Sequence, residues 1–191
     1  GYIASTIGRF IDTYNVENVV LRNIVIDAMD VDSDGADVVH FAHSKYIFIE
    51  GCEIKNKKGN YDGDAIDLDD VQYFVIRNNF IHDIDGKGIH PSNADSPPYY
   101  GSCYGIIANN MLLNVNRVGQ RHVISIGGDP NLPGATPPEN IIVVGNYVEN
   151  SPGTGIYVTG NYIVVANNIV INTDTGINIG TFGSIAVKGI V

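Results

Sequence analysis

The chain has 191 residues and carries 11 Lys and Arg against 21 Asp and Glu, a formal charge of −10 at pH 7. That length fits one domain with a substantial core, and a composition 44% hydrophobic and 17% charged excludes the disordered and fibrous classes. No apolar run approaches the roughly 18 residues of a membrane span. The acidic balance argues against a nucleic-acid surface, which needs clustered Lys and Arg, and two Cys cannot build a disulfide framework.

In chain order, residues 1–14 predict a partial opening turn with no capping helix. From there one six-residue pattern recurs. It reads LRNIVI at 21–26, IEGCEI at 49–54, IRNNFI at 76–81, IANNML at 107–112, VVGNYV at 143–148, VANNIV at 165–170 and VKGIV at 187–191. First residues are separated by 28, 27, 31, 36, 22 and 22 positions, so a 22-residue unit with insertions accounts for all of them. A second pattern follows each first one: DVVHF (37–41), DAIDL (64–68), KGIHP (87–91), VISI (123–126), GIYV (155–158) and GINI (176–179). A third apolar patch precedes each first pattern, as in KYIFI, QYFVI and NYIVV.

Every unit therefore offers three short β-branched stretches of period two, separated by Gly, Asn and Asp. Helical periodicity is absent, and 22 Gly with 8 Pro punctuate too often for long helices. The prediction is an all-β chain: a single right-handed parallel β-helix over 1–191, of about seven turns. A leucine-rich repeat or an antiparallel sandwich fits less well, since leucine is scarce and no unit has a helical half. The chain starts on Gly1 and stops inside a strand pattern, which predicts a fragment or an uncapped module that pairs end to end. Asn79, Asn110, Asn146 and Asn168 share one position and predict a stacked amide ladder, which Ile24 and Cys52 do not join. Cys52 is predicted inward and Cys103 two turns away, both free.

In a parallel stack, equivalent residues lie about 4.8 Å apart, so columns matter more than linear motifs. Val39, Ile66, Ile89, Ile124, Ile156 and Ile177 are predicted inward, and the next residue outward: His40, Asp67, His90, Ser125, Tyr157 and Asn178. Three positions earlier stand Asp37, Asp64, Lys87, Arg121 or His122, Thr154 and Thr175. The charge is uneven, with 12 of the 16 Asp between Asp27 and Asp85. Asp37, Asp64 and Asp67 are predicted to converge, with Asp34, Asp62 and Asp69 nearby. Such crowding costs several kcal/mol unless a cation or shared protons relieve it, and Ca²⁺ is the natural occupant. Asp34 and Asp62, both before Gly, read rather as turn caps.

Lys87 reads as a general base or a clamp on an acidic substrate. His40 and His90 flank Asp67 as acid or base groups, while Arg121 and His122 are candidates to hold a substrate carboxylate. Two insertions, 93–102 and 128–140, leave the same corner on adjacent turns and predict the walls of a groove. Tyr99 and Tyr100 in the first are placed to stack on sugars.

The repeats resemble the pectate-lyase-like superfamily of parallel β-helices across nearly the whole chain. Polygalacturonase-type hydrolases match in part, through DSDGAD (32–37), DGDA (62–65), GKG (86–88) and SIG (125–127), but Gly63, Lys87 and Ser125 replace their motif residues. Family-nine polysaccharide lyases look closer. Their calcium site implies Asp37 and, from GDAID (63–67), Asp64 and Asp67 as ligands, with Asp62 compensating for Gly63 and Lys87 as the base. The resemblance implies an extracellular or cell-surface Ca²⁺-dependent lyase cleaving a uronic-acid polymer by β-elimination. Ca²⁺ would hold the uronate, Lys87 would take the C5 proton, and Arg121 or His90 would assist. The partner implied is an acidic polysaccharide, not nucleic acid or membrane. The alternatives are a non-catalytic adhesin, fibre or spike module that assembles through its ends, and a hydrolase or epimerase using the Asp cluster without metal.

Overall fold

A computed structural model of the chain describes residues 2–4, 10–30, 32, 35–59, 63–118 and 121–183. The turn residues Asp34 and Asp62 and the pattern predicted at 187–191 lie outside the described residues. The rest is built from strands and turns, and among the described residues no helix is long and apolar enough to cross a membrane.

The chain winds through three faces in turn. The first face holds β1 (Tyr2–Ala4), β4 (Val25–Asp27), β7 (Glu53–Lys57), β10 (Phe80–Ile84) and β13 (Met111–Val115). The second holds β2 (Ile11–Tyr14), β5 (Val39–Ala42), β8 (Ile66–Asp69), β11 (Ile89–Ser92) and β14 (His122–Ile126). The third holds β3 (Glu17–Arg22), β6 (Lys45–Glu50), β9 (Gln72–Arg77), β12 (Cys103–Ala108), β15 (Glu139–Val144) and β17 (Val164–Ala166). Two long strands, β16 (Tyr147–Val158) and β18 (Ile169–Ile179), run across the first and second faces together. Every ladder is parallel, with each strand bonded to its equivalents one turn away, as a parallel β-helix requires.

The inward columns stack in the predicted register. Val39 pairs Ile66, Ile66 pairs Ile89, Ile89 pairs Ile124, and Ile124 pairs Ile156. All five are fully buried, as are Ile26, Ile54, Ile81, Leu112 and Val148 on the first face and Ile49, Ile76, Ile107 and Val143 on the third. Three aliphatic walls thus meet along the axis, each side chain contributing roughly 1.5–3 kcal/mol by burial. Ile177 holds its register against Ile156 but is 49% exposed, because it lies on the last strand of the described stack. Cys52 is buried as predicted, Cys103 is half-buried, and both are free.

The amide ladder forms as predicted. Each Asn Nδ2 donates to the Oδ1 one turn on: Asn79 to Asn110 (2.9 Å), Asn110 to Asn146 (3.0 Å) and Asn146 to Asn168 (2.9 Å). The Oδ1 atoms of Asn79, Asn110, Asn146 and Asn168 accept in turn the backbone N–H of Cys52, Asn79, Asn110 and Asn146, so buried turn amides find partners inside the stack. The residue before each ladder position is Asn or Gly for a separate reason. Asn23, Gly51, Asn78, Asn109, Gly145 and Asn167 all have φ between 54° and 68°, the left-handed region that Gly and Asn tolerate best. At Gly51 and Gly145 a Cβ would also lie 2.5 and 2.4 Å from the amide oxygen of Asn23 and Asn109.

Removing a ladder amide strands several buried groups at once. Asn110→Ala leaves the Asn79 N–H, the Asn79 amide and the Ile76 carbonyl without their partner. It is expected to cost about 2–5 kcal/mol in urea unfolding, and more than Asn168→Ala at the end of the row. Equal, sub-kcal losses at both positions would show that the ladder does not hold the corner.

Candidate functional site

The outward side of the second face carries the charge. Strand register places Asp12 beside His40, His40 beside Asp67, and Asp67 beside His90. Acid and base alternate along this column. Three residues earlier runs the column Asp37, Asp64, Lys87, and two residues later Ala42, Asp69, Ser92. All of these but Asp12 line a cleft of about 570 Å³. A second hollow of about 480 Å³ shares Lys87, His90, Ser92 and Asp95 with it and extends the groove to Arg121, His122 and Ser125.

Carboxylates on this face cap the next turn. Asp37 Oδ1 accepts the Asp64 N–H at 2.8 Å, and Asp64 Oδ1 accepts the Lys87 N–H at 2.9 Å. The other oxygen of Asp64 takes Lys87 Nζ at 2.9 Å and lies 3.1 Å from His90 Nδ1. Burial would raise Asp64, but Lys87 and His90 hold it well below the usual carboxylate range. At Asp37, burial with repulsion from Asp67 and Asp64 outweighs the Asp64 N–H and the more distant His40 charge, and pushes it up to about 8. Neighbouring carboxyls one turn apart are thus held in opposite protonation states at neutral pH.

Asp67 is raised by burial and by the Asp69 charge, and His90 only partly offsets this. Its Oδ1 lies 3.2 Å from His90 Nδ1, yet has no hydrogen-bond partner among the described residues. His90 Nδ1 also lies 3.1 Å from Lys87 Nζ. Burial and Lys87 oppose a charge on His90, but Asp67 and Asp64 prevail and raise it to about 9. At neutral pH the imidazolium and the ammonium therefore share Asp64. His40 is similar: burial lowers it, but its bonds to Asp69 (3.3 Å) and Asp12 (2.7 Å) lift it to about 9. Asp69 is anchored in turn by Ser92 Oγ.

Several sequence-based assignments change. Burial disfavours a charge on Lys87, but Asp64 and Asp67 outweigh it and raise Lys87, which favours the ammonium form. His122, rather than Arg121, continues the Asp37 column, since it pairs Thr154. It stacks on Tyr157 at 4.0 Å, and burial with Lys87 lowers it to about 4. A neutral His122 cannot hold a substrate carboxylate by charge. Tyr99 and Tyr100 do not line the cleft; Tyr100 lines a separate hollow with Gln72, Cys103 and Glu139. Asp62 lies outside the described residues. Sequence reasoning placed Asp69 only near the cluster and missed Asp12 and Ser92, although Asp12 stands in the His40 column and the alternation along that column was the available signal.

Among the described residues, ligand atoms lie within 4.8 Å of one another in two groups, His40–Asp67–Asp69 and Asp64–Asp67–His90, and each contains a histidine. Of the predicted calcium ligands, Asp64 and Asp67 share the second group, Asp37 is in neither, and Asp62 lies outside the described residues. Calcium takes oxygen ligands, and Asp64 already faces Lys87 and His90, so the described residues do not form an oxygen-only cage.

A family model described as the right-handed β-helix region matches residues 9–189. The chain belongs to this family. No curated protein sequence is significantly similar to it. Among solved structures, this β-helix is similar to the catalytic domain of a GH87 α-1,3-glucanase, an Asp-to-Ala variant in complex with tetrasaccharides. The match has 14% identity and a TM-score of 0.47, and covers 96% of this chain and 48% of that one. The chain thus spans about half the length of that domain.

The β-helix should lose stability toward alkaline pH. His40 and His90 are raised from 6.5 to about 9, so their stabilisation is present below 6.5 and lost as pH rises to 9. Asp37, raised from 3.8 to about 8, must lose its proton in the fold and removes stability across that interval. The melting temperature is expected to fall between pH 6.5 and 9, and Asp37→Asn to flatten the part below 8. A melting temperature constant over that range would show that these groups do not titrate as the geometry requires.

Proposed function

We propose that this β-helix is a carbohydrate-active enzyme that hydrolyses glycosidic bonds of a polysaccharide lying in the groove. The observation that carries this reading is the protonated Asp37 beside the ionised Asp64 in an open cleft. Two carboxyls pushed to opposite protonation states are what acid–base cleavage of an acetal uses. Asp37 donates a proton to the leaving oxygen. Asp67, whose Oδ1 has no hydrogen-bond partner among the described residues and whose ionised form His90 favours against burial, is the group that activates water or attacks the sugar. Lys87 and His90 hold Asp64 ionised and fix the field around both.

Five Asp line the cleft against Lys87, His40 and His90, so a polyanion gains no net counter-charge there. This favours a neutral or weakly acidic glycan over a uronic-acid polymer, and hydrolysis over elimination, for which Lys87 is not available as a base. A polysaccharide substrate places the protein outside the cell or on its surface.

The reading is tested by screening neutral and acidic polysaccharides for new reducing ends, with ultraviolet absorbance to detect unsaturated ends. Hydrolysis predicts saturated products, activity retained in excess chelator, and losses of about 100-fold or more in Asp37→Asn and Asp67→Asn. Unsaturated products lost on chelation would instead establish the calcium-dependent lyase. A second reading, a non-catalytic module that assembles end to end, draws on Ile169, Ile177 and Ile179, which are about half exposed on β18. Light scattering decides it: oligomers that dissociate in an Ile177→Lys, Ile179→Lys variant would support assembly.

A further inference from the structure

One polar constellation beside the cleft is not used by the acid–base site. At the corner after the second face, His43 and Asp70 occupy equivalent positions on adjacent turns, with φ of 48° and 52°. The His43 N–H is fixed to the Asp69 carbonyl at 2.8 Å. His43 Nδ1 lies 2.9 Å from Asp70 Oδ2, and His43 Nε2 lies 3.0 Å from Ser96 Oγ. Asp70 is buried, His43 mostly so, and Ser96 is exposed and lines the cleft.

Ser96 reaches this place on the first insertion. The loop is closed at its neck by an antiparallel bridge between Asn93 and Gly101. The second insertion braces it: the Gly101 N–H donates to Thr136 Oγ1 (3.0 Å) and the Thr136 N–H to the Tyr99 carbonyl (3.1 Å). The two loops together hold the serine against the histidine.

We propose that Ser96, His43 and Asp70 form a nucleophilic site that hydrolyses an acyl ester, the ester being an O-acyl group on a glycan in the cleft. The choice of a glycan-borne ester rests on the polysaccharide reading above; the site itself does not. A hydroxyl within reach of an imidazole, itself oriented by a buried carboxylate, meets the geometric test for an activated serine. Asp70 accepts Nδ1–H, which leaves Nε2 unprotonated and facing Ser96. Asp70 Oδ1 is buried without a hydrogen-bond partner among the described residues, and its Oδ2 is the atom that meets His43 Nδ1.

In the first step Ser96 Oγ bonds to the ester carbonyl carbon and its proton passes to His43 Nε2. The bond from that carbon to the sugar oxygen then breaks, and His43 returns the proton to the leaving oxygen. Water adds to the acyl-serine, giving one proton to His43. The Oγ–carbon bond breaks, Ser96 recovers the proton, and a carboxylic acid leaves. Ester and water become alcohol and acid, with no redox change. Ser96 and His43 are the catalytic residues; Asp70 is a positioning residue.

The test labels the whole chain with a fluorophosphonate probe and follows hydrolysis of p-nitrophenyl acetate. Peptide mapping should place the label on Ser96, and Ser96→Ala should abolish both signals. His43→Asn, which keeps a side chain suited to a left-handed corner, should slow both by about 100-fold or more. Asp70→Asn should slow them and move the acid limb of the labelling-rate pH profile, with circular dichroism and melting temperature retained. The charged groups beside this pair are Asp69 and Lys45. Failure to label Ser96, or labelling unchanged by His43→Asn, overturns the proposal. A labelled, esterolytic Ser96 that removes no acyl groups from acetylated polysaccharides would keep the nucleophile and overturn the glycan assignment. Asp37-dependent glycan cleavage without Ser96 labelling would do the reverse.

Discussion

The register of the parallel stack is the constraint from which the rest follows. Each side chain meets its own equivalent one turn above and below, at a separation set by backbone hydrogen bonds rather than by choice of residue. A polar group on one turn must therefore be answered by the residue at the same position on the next. The asparagine row answers it with a repeated amide that donates and accepts along the axis. The Asp37–Asp64–Lys87 column answers it differently: each carboxylate takes the backbone N–H of the following turn, and the run ends on a cation.

The same register makes like charges costly and explains which groups are perturbed. Asp12, His40, Asp67 and His90 alternate in sign, so each histidine stands next to a carboxylate and is raised toward its charged form. Asp37 and Asp64 break the alternation. Lys87 and His90 neutralise Asp64, whereas at Asp37 the His40 charge is outweighed, so the second carboxyl is raised. That shift comes from burial first and from like-charge neighbours at a spacing the fold imposes.

The parts of this architecture that repeat were legible in the sequence. The spacing of the six-residue pattern placed Val39, Ile66, Ile89, Ile124 and Ile156 in one buried column and His40, Asp67 and His90 in the next, as found. The asparagine row was legible for the same reason. What did not repeat was harder to read. Asp12 lies in the opening turn, before any six-residue pattern had set a frame. Arg121 and His122 were left unresolved because a one-residue choice of register needs the ladder to Thr154. Insertions carry no register at all, so Tyr99 and Tyr100 were assigned to the groove from their position in sequence, while the loop aims Tyr100 at another hollow. The contact between Ser96 and His43 spans 53 residues and depends on that loop folding back, which no periodicity encodes. Ionisation was the other part not legible: Lys87 read equally as a base or a clamp, because a column shows which residues are neighbours but not which of them keeps the proton.

The later turns of the same face show which features the fold itself needs. In the Asp37 column the stack continues as His122, Thr154 and Thr175, and in the His40 column as Ser125, Tyr157 and Asn178, with ladders still paired. Backbone pairing there proceeds with no carboxylate in either column. Burying ionised groups is seldom the stabilising solution when neutral side chains of similar size would serve, and this molecule contains that neutral solution two turns away from the charged one. The charges of the second to fourth turns are therefore not a requirement of stacking. The insertions that wall the groove also leave the corner beside those turns. Charge, cleft and walls coincide at one place along an otherwise uniform stack, and that coincidence marks this face as the candidate site more firmly than any single residue of the cluster does.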